Sequence, residues 1–387
     1  MLIIKNANIK TMASSDFENG VIVIENKKIL EVGNIDITKY KHAEIIDAKG
    51  LLVTPGLVDP HCHIGVMEEG IRFEGNDTNE MSGPIYPELR GIDSIYMKDM
   101  AFDYTVKAGI TTVNTGPGSA NVIGGTFTAI KTYGETVEDV LIKEETSMKM
   151  ALGENPKRVY GTGNKNPGTR MASAALMREW LFKAKEYHTK YNAFLNKEED
   201  AKEPAFDMKL HSLMRVFDGM IVKIHAHRAD DIATAIRITK EFGLNTTIEH
   251  ATESYLIPEF VKESGVPMII GPTLGMASKY ELVNKSFKSA KVLEDFEIPF
   301  AIMTDHPVIT LDTTLVQTAL FVKEGLSEQK ALEALTITSA KLNGIEDRVG
   351  SIEVGKDADI VIWDGPLFDI FTRTEYVIID GKIVHKK

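Results

Sequence analysis

Cysteine is all but missing from this 387-residue chain, Cys62 being the only one. A single thiol closes no internal disulfide, so stability must come from the core, and a reducing compartment, the cytoplasm, is expected. Positive charge is short as well: 44 Lys and Arg stand against 56 Asp and Glu, a net charge of −12. That balance argues against a nucleic-acid footprint. It favours solubility and leaves the substrate open. No apolar run reaches the roughly 18 residues of a membrane span. The opening Met1-Leu-Ile-Ile-Lys5 lacks the length and order of a secretory signal. Internal repeats and low-complexity tracts are absent. What remains, 43% apolar and 26% charged residues, is the composition of a globular chain with a large core.

Against that background Pro55-Gly-Leu-Val-Asp-Pro-His-Cys-His-Ile-Gly65 stands out. An apolar run, Leu51 to Val58, breaks at Pro60 and presents His61 and His63 two positions apart. Alternate residues of a strand share a face, so both imidazoles can turn to one side and hold a single cation. Neutral imidazole is the commonest protein ligand for zinc and its neighbours. A His-x-His pair is half a site, and the rest must come from further along the chain.

The organisation of the chain shows from where. Residues 1–54 read as short β-branched strands separated by Asn, Lys and Gly turns, and Asp359–Trp363 and Tyr376–Val384 repeat the style at the other end. Neither end has enough strands to bury a sheet alone. Residues 1–54 and 346–387 are therefore expected to form one small composite β-sandwich. Over 55–345 strand and helix signals alternate, with strands at Leu51–Val58, Ile110–Asn114, Phe127–Lys131, Thr146–Leu152, Met220–Ile224, Asn245–Glu249, Val266–Ile270 and Pro299–Met303. Eight strands with intervening helices point to an α/β fold, a (β/α)8 TIM barrel of parallel strands, whose chemistry sits at the C-terminal strand ends. Near 169–219 the alternation is interrupted. Met177, Leu181, Ala184, His188, Tyr191 and Leu195 trace one apolar stripe of a long helix. This helical insertion is expected to pack on the barrel wall, with a lid or a dimer contact as the alternatives. Glu68–Arg90, Asn155–Arg158 and Gly161–Lys165 are candidate covers over the strand ends.

Potential ligands recur just past those ends: His225 and His227 after strand five, His250 after strand six, Asp305 and His306 after strand eight. His42, His188, His211 and His385 lie elsewhere and read as surface or packing residues. One histidine after a strand is ordinarily a hydrogen-bonded structural residue. Four strand ends carrying ligands together call for a metal.

These segments resemble the amidohydrolase superfamily nearly end to end. Pro55 to His63, Gly109-Ile-Thr-Thr-Val113 and Gly350-Ser-Ile-Glu-Val-Gly-Lys-Asp-Ala-Asp-Ile-Val361 carry the likeness, which is nearest to the imidazolonepropionase-related branch. The resemblance implies a metal-dependent hydrolase with a barrel and a terminal β-sandwich. It also implies roles: His61 and His63 as the strand-one ligands, His225 and His250 as those of strands five and six, and Asp305 as the aspartate that touches metal and moves protons. His227 could replace His225. His227, Arg228, His306 and Asn114, the last in a glycine-rich turn, are candidate substrate contacts.

Strand four decides between one ion and two. Lys149 lies inside an apolar strand, where burial lowers a lysine's pKa and the neutral amine can take up carbon dioxide to become an anionic bridge. Glu154, past the strand end, is the alternative bridge. Lys131 is an outside candidate, read as a buried stem with its head reaching solvent. Two divalent ions per chain are expected, zinc first among them, or one if neither residue bridges. The resulting chemistry is attack of metal-activated hydroxide on a C–N bond, with Asp305 as the proton shuttle. Deaminases of the superfamily usually carry a glutamate three residues after the strand-five histidine. Arg228 stands there and cannot act as an acid, so amide or cyclic amide hydrolysis ranks above deamination, and its charge suggests an anionic small molecule. A deaminase of heterocycles and a non-catalytic relative that keeps the barrel are the rivals. The oligomeric state stays open, a homo-oligomer being what the resemblance suggests; a membrane or nucleic-acid partner is not expected.

Overall fold

In the computed structural model, which describes residues 1–163 and 165–387, the chain builds two eight-stranded sheets. Asn164, inside the expected cover Gly161–Lys165, lies outside the described residues.

The first sheet uses both ends of the chain. Strands β1 (Leu2–Ile9), β2 (Phe17–Glu25), β3 (Lys28–Gly33), β4 (Glu44–Asp47) and β5 (Leu52–Pro55) come from the N-terminal side. Strands β14 (Ile360–Trp363), β15 (Thr374–Ile379) and β16 (Lys382–Lys386) come from the C-terminal side. The order is β16-β15-β14-β5-β1-β2-β3, with β4 also paired to β1. The two ends meet where β14 runs antiparallel to β5, Ile360 opposite Pro55 and Trp363 opposite Leu52. Ile4, Ile9, Ile22, Val53, Ile360 and Ile378 fill the core of this sheet. Trp363, wholly buried, donates its indole N–H to Thr54 Oγ1 at 2.9 Å.

The expected strand Leu51–Val58 proves to be two. β5 belongs to the first sheet, and β6 (Leu57–Cys62) opens the second. Gly56 makes the crossing: a Cβ there would fall 2.0 Å from Thr111 Oγ1, so no side chain fits.

The second sheet continues with β7 (Ile110–Thr115), β8 (Ile123–Lys131), β9 (Leu141–Ala151), β10 (Ile221–Ala226), β11 (Thr246–His250), β12 (Met268–Ile270) and β13 (Phe300–Ile302), in that spatial order from β6. Its strands are buried on both faces, as parallel strands sheathed by helices must be. One strand departs from the expected parallel barrel: β8 runs antiparallel to both β7 and β9. The reason is length. Only residues 116–122 separate β7 from β8, too few for a parallel crossover, which takes a dozen or more. The sheet curls until its two edge strands approach. His63 N–H donates to His306 O at 2.8 Å, and Asp305 N–H to His61 O at 3.3 Å, so the ends of β6 and β13 are joined. The architecture is an α/β, barrel-like sheet of mostly parallel strands beside a separate sheet.

The helix Arg170–Leu195 starts at Thr169, whose hydroxyl accepts the Ala172 N–H at 3.0 Å. Met177, Leu181 and Ala184 on its inner stripe join the same core as the barrel strands. Lys131 differs from its sequence reading. Its head does not reach solvent; it is buried against Asp357, Asp359 and Asp380. A tail of four methylenes running inward from β8 delivers the ammonium to the seam between the two sheets. No helix among the described residues is long and apolar enough to cross a membrane.

Candidate metal centre

The C-terminal ends of the barrel strands converge on two groups of potential ligands. One nitrogen or oxygen each from His61, His63 and Asp305 lies within 4.8 Å of the others, and so do nitrogens of His225, His227 and His250. All six residues are buried. They come from β6, the turn after it, β10 and its exit, the last residue of β11, and the turn after β13.

Local structure aims each ring. Where a histidine's far nitrogen is held by an acceptor, the near nitrogen presents its lone pair inward, the usual preparation of a metal-binding imidazole. His63 Nδ1 donates to Gly116 O at 2.7 Å, and His250 Nδ1 to Gly271 O at 3.0 Å. His61 Nδ1 lies 2.5 Å from Glu249 Oε2, and His227 Nδ1 lies 2.8 Å from Thr252 Oγ1. His250 and Asp305 also adopt left-handed backbone, φ 69° and φ 52°. That conformation costs a non-glycine residue on the order of 1 kcal/mol or more. The surrounding structure holds both against this cost, as is common where side-chain direction matters.

Burial sets the protonation states. It pushes the imidazoles of His61, His227 and His250 well below their ordinary range and His225 down to about 4. Above pH 5 they are neutral, which is the ligating form. Burial would raise the Asp305 carboxyl, but His250, His63 and His61 outweigh it and hold it well below the usual carboxylate range. Its Oδ1 is 3.2 Å from His63 Nε2 and 3.5 Å from His61 Nε2.

Lys149, on β9, is wholly buried and brings Nζ to 3.2 Å from His61 Nε2. Burial pulls its pKa down to about 8, Glu249 opposing. Glu154 fares differently. It opens the helix Glu154–Gly161, and its backbone N–H donates to Glu281 Oε2 at 3.0 Å, while its carboxylate belongs to neither ligand group.

The candidate substrate contacts divide. His227 joins the ligand group beside His225, their ring centroids 4.7 Å apart, rather than replacing it. Asn114 is not at the mouth: it is fully buried, donating to Asn343 Oδ1 at 2.7 Å and accepting from Thr146. An amide on an inward strand position is taken up by barrel packing. Arg228 is spoken for by Asp230, at 3.0 and 3.2 Å, because the two lie together at the start of the helix Ala229–Phe242. His306 is wholly buried, with burial bringing it to about 4 and its ring 6.3 Å from that of Tyr104.

Two comparisons fix the family. The profile of the Amidohydrolase family matches residues 52–384. The crystal structure of an amidohydrolase from Thermotoga maritima superposes with a TM-score of 0.94 at 39% identity, covering 100% of both chains. The chain belongs to the amidohydrolase family. It sits with the imidazolonepropionase-related members, hydrolases of carbon–nitrogen bonds. It is 25% identical to the imidazolonepropionase of Fusobacterium nucleatum over 95% of this chain and 92% of that one. It is 28% identical to the amidohydrolase tasK of Hapsidospora irregularis over 94% of this chain, but spans only 39% of tasK. The family is generally metal-dependent, and both ligand groups suit a divalent ion.

Three buried charges of this amidohydrolase escaped the sequence reading. Lys223 and Glu249 lie inside strands, wholly buried, 3.6 Å apart. A signal existed for Lys223: it stands two residues before His225 and so shares its face. Glu281 comes from the loop between β12 and the helix Ser289–Asp295, and no local pattern marks it. A cavity of about 380 Å³, lined by Phe73, Asn79, Ser119, Asn155 and Arg158, adjoins the centre, since Asn155 Nδ2 is 3.5 Å from His225 Nε2. A larger cavity, about 470 Å³, lies against Trp363, Phe368 and Arg373, away from every candidate ligand. Chemistry, not size, identifies the site.

Proposed function

We propose that this amidohydrolase cleaves the C–N bond of an amide or cyclic amide in a small anionic molecule, using two divalent ions, zinc foremost. The observation that carries the reading is the pair of buried ligand groups at one end of the barrel. The reading takes the barrel-like sheet as a closed (β/α)8 TIM barrel with an inverted third strand, flanked by a sandwich of residues 1–54 and 346–387. His61, His63 and Asp305 would hold one ion; His225 and His250 would hold the other. Lys149 stands where a carbamate formed from its amine and carbon dioxide could reach both. When bound, such ions polarise a carbonyl and acidify water at neutral pH.

The protein's own groups do the rest. Asp305, ionised and at the centre, accepts a proton from the attacking water and returns it to the leaving nitrogen. Glu249 orients His61 and keeps its ligating nitrogen inward. Burial excludes bulk water, which strengthens every charge interaction at the reacting carbon. Arg158 on the cavity wall is the cation placed to meet an anionic substituent, a role that Arg228, paired with Asp230, does not fill.

The test is a screen of metal-loaded protein against N-acyl amino acids, dipeptides, hydantoins, imidazolones and lactams, together with aminated heterocycles. Amide or ring opening supports the proposal. Ammonia release from a heterocycle without amide cleavage would select a deaminase instead, and a purified protein that binds no metal would return the non-catalytic reading.

A further inference from the structure

Glu281 buries a carboxylate beside the histidines of the second ligand group. It sits in the short turn Tyr280–Leu282, where Tyr280 is 72% exposed and the Glu281 side chain is 0% exposed, turned inward over the strand ends. One oxygen, Oε2, accepts the Glu154 N–H. The other, Oε1, lies 3.7 Å from His225 Nε2 and 3.6 Å from His227 Nε2. These separations are too long for hydrogen bonds. They are close to the ~3.3–3.6 Å between ligand atoms that share one tetrahedral ion at ~2.0–2.2 Å. His227 Nε2 has no hydrogen-bond partner among the described residues. The cation near Oε1 is the ammonium of Lys279, 2.7 Å away on a side chain that is 16% exposed and also held by Asn155 Oδ1 at 3.0 Å.

We infer that His227 and Glu281 are ligands of the second ion together with His225 and His250, and that Lys279 keeps its place when the metal is away. The inference rests on the proposed metal-dependent reading and sharpens it. Four protein donors with Lys279 displaced hold a divalent ion without any contribution from Lys149. A carbamate on Lys149 would then tune or bridge the centre rather than retain the second ion. The loop after β12 becomes part of the metal site, so its closure and metal loading are coupled.

The experiment is equilibrium dialysis of the full chain against Zn2+ with elemental analysis, repeated with Co2+ and read by its visible absorption. Wild type should take up two ions. Glu281→Gln and His227→Asn should retain one at the same free Zn2+, with second-ion affinity reduced roughly 100-fold or more. Lys149→Met should keep two. Lys279→Met should bind the second ion more tightly, because the competing ammonium is gone. The inference is overturned if Glu281→Gln and His227→Asn load two ions with wild-type affinity and an unchanged Co2+ spectrum. It is equally overturned if Lys149→Met alone loses the second ion. A wild-type protein that takes up no metal would sink the hydrolase reading itself, whereas two ions in every variant would remove only the roles of His227 and Glu281.

Discussion

Two clusters of buried charge lie at different places on this barrel, and they are finished differently. At the seam with the terminal sheet, Lys131 meets Asp357 at 3.0 Å and bonds Asp359 directly. Asp357 is further held by Arg348 at 2.8 Å and Lys28 at 2.7 Å, and Asp359 accepts the Asp380 N–H at 2.9 Å. Cations and carboxylates balance, and among these carboxylates Asp380 Oδ1 alone has no hydrogen-bond partner among the described residues. At the strand ends, by contrast, Lys223 Nζ, His227 Nε2 and both His306 nitrogens have no hydrogen-bond partner among the described residues. Burying polar groups unpaired costs roughly 1–3 kcal/mol each. A fold does not accumulate such groups at one spot without a use, and a ligand is what satisfies them. The difference teaches that buried charge alone does not mark a site; several unpartnered buried groups among neighbouring histidines do.

The comparison breaks most visibly at Asp305. Asp305→Asn should reduce turnover by roughly 10³-fold or more, about 4 kcal/mol of barrel-mouth chemistry, while the metal-free melting temperature stays the same or rises. Activity within tenfold of wild type would remove Asp305 from the proton path. Lys131→Met is the mirror experiment. It strands Asp357 and Asp359 without their shared cation, and breaking a buried pair in this way costs about 3–5 kcal/mol. Denaturant midpoint should fall sharply, whereas zinc stoichiometry and the turnover of folded protein should hold. Loss of metal with no loss of stability would reverse the roles assigned to the two clusters.

That contrast also explains what was legible in the sequence. His61, His63, His250 and Asp305 could be placed because each lies within three residues of a strand's C-terminal end, and the strand period carries a side chain to a known face. The eight strands could be placed for the same reason. The inversion of β8 was not visible in its apolar pattern, which reads alike in either direction. It follows from the seven-residue link 116–122, which the periodicity does not weigh. The break at Gly56 hid inside one continuous apolar run. Glu281 lay beyond reach because a loop's path depends on what it packs over, and one glutamate among polar neighbours carries no period. Lys131 misled for a related reason: its partners Asp357, Asp359 and Asp380 stand more than 200 positions away.

Acid sharpens the comparison through linkage. His225 has a folded pKa of about 4 against an ordinary 6.5. A depressed imidazole binds fewer protons folded than unfolded, so metal-free stability is whole above pH 6.5 and declines as pH falls towards 4. The slope is about 1.4 kcal/mol per pH unit for each such histidine. Because the folded rings are already neutral, zinc binding at pH 6 should release little proton from them. Calorimetry in buffers of differing ionisation enthalpy reads that release directly; about half a proton or more per histidine would show that the rings titrate normally.

The smallest effect is expected at Arg228, and it is informative for that reason. The sequence offered this residue as the anchor of an anionic substrate because of its positive charge three residues after His225. Its guanidinium instead lies partly exposed against Asp230, two residues along, and 5.8 Å from the Tyr280 ring. A partly exposed pair of this kind contributes 0–1 kcal/mol. Arg228→Ala should therefore move stability by no more than about 0.5 kcal/mol and leave KM for an anionic substrate within about twofold. Arg158→Ala, on the cavity wall, should raise KM several-fold with turnover nearly unchanged, the pattern of lost uniform binding. If the two variants trade places, substrate enters from the Arg228 side, and the loop that carries Tyr280 and Glu281 lies in its path rather than over the metal.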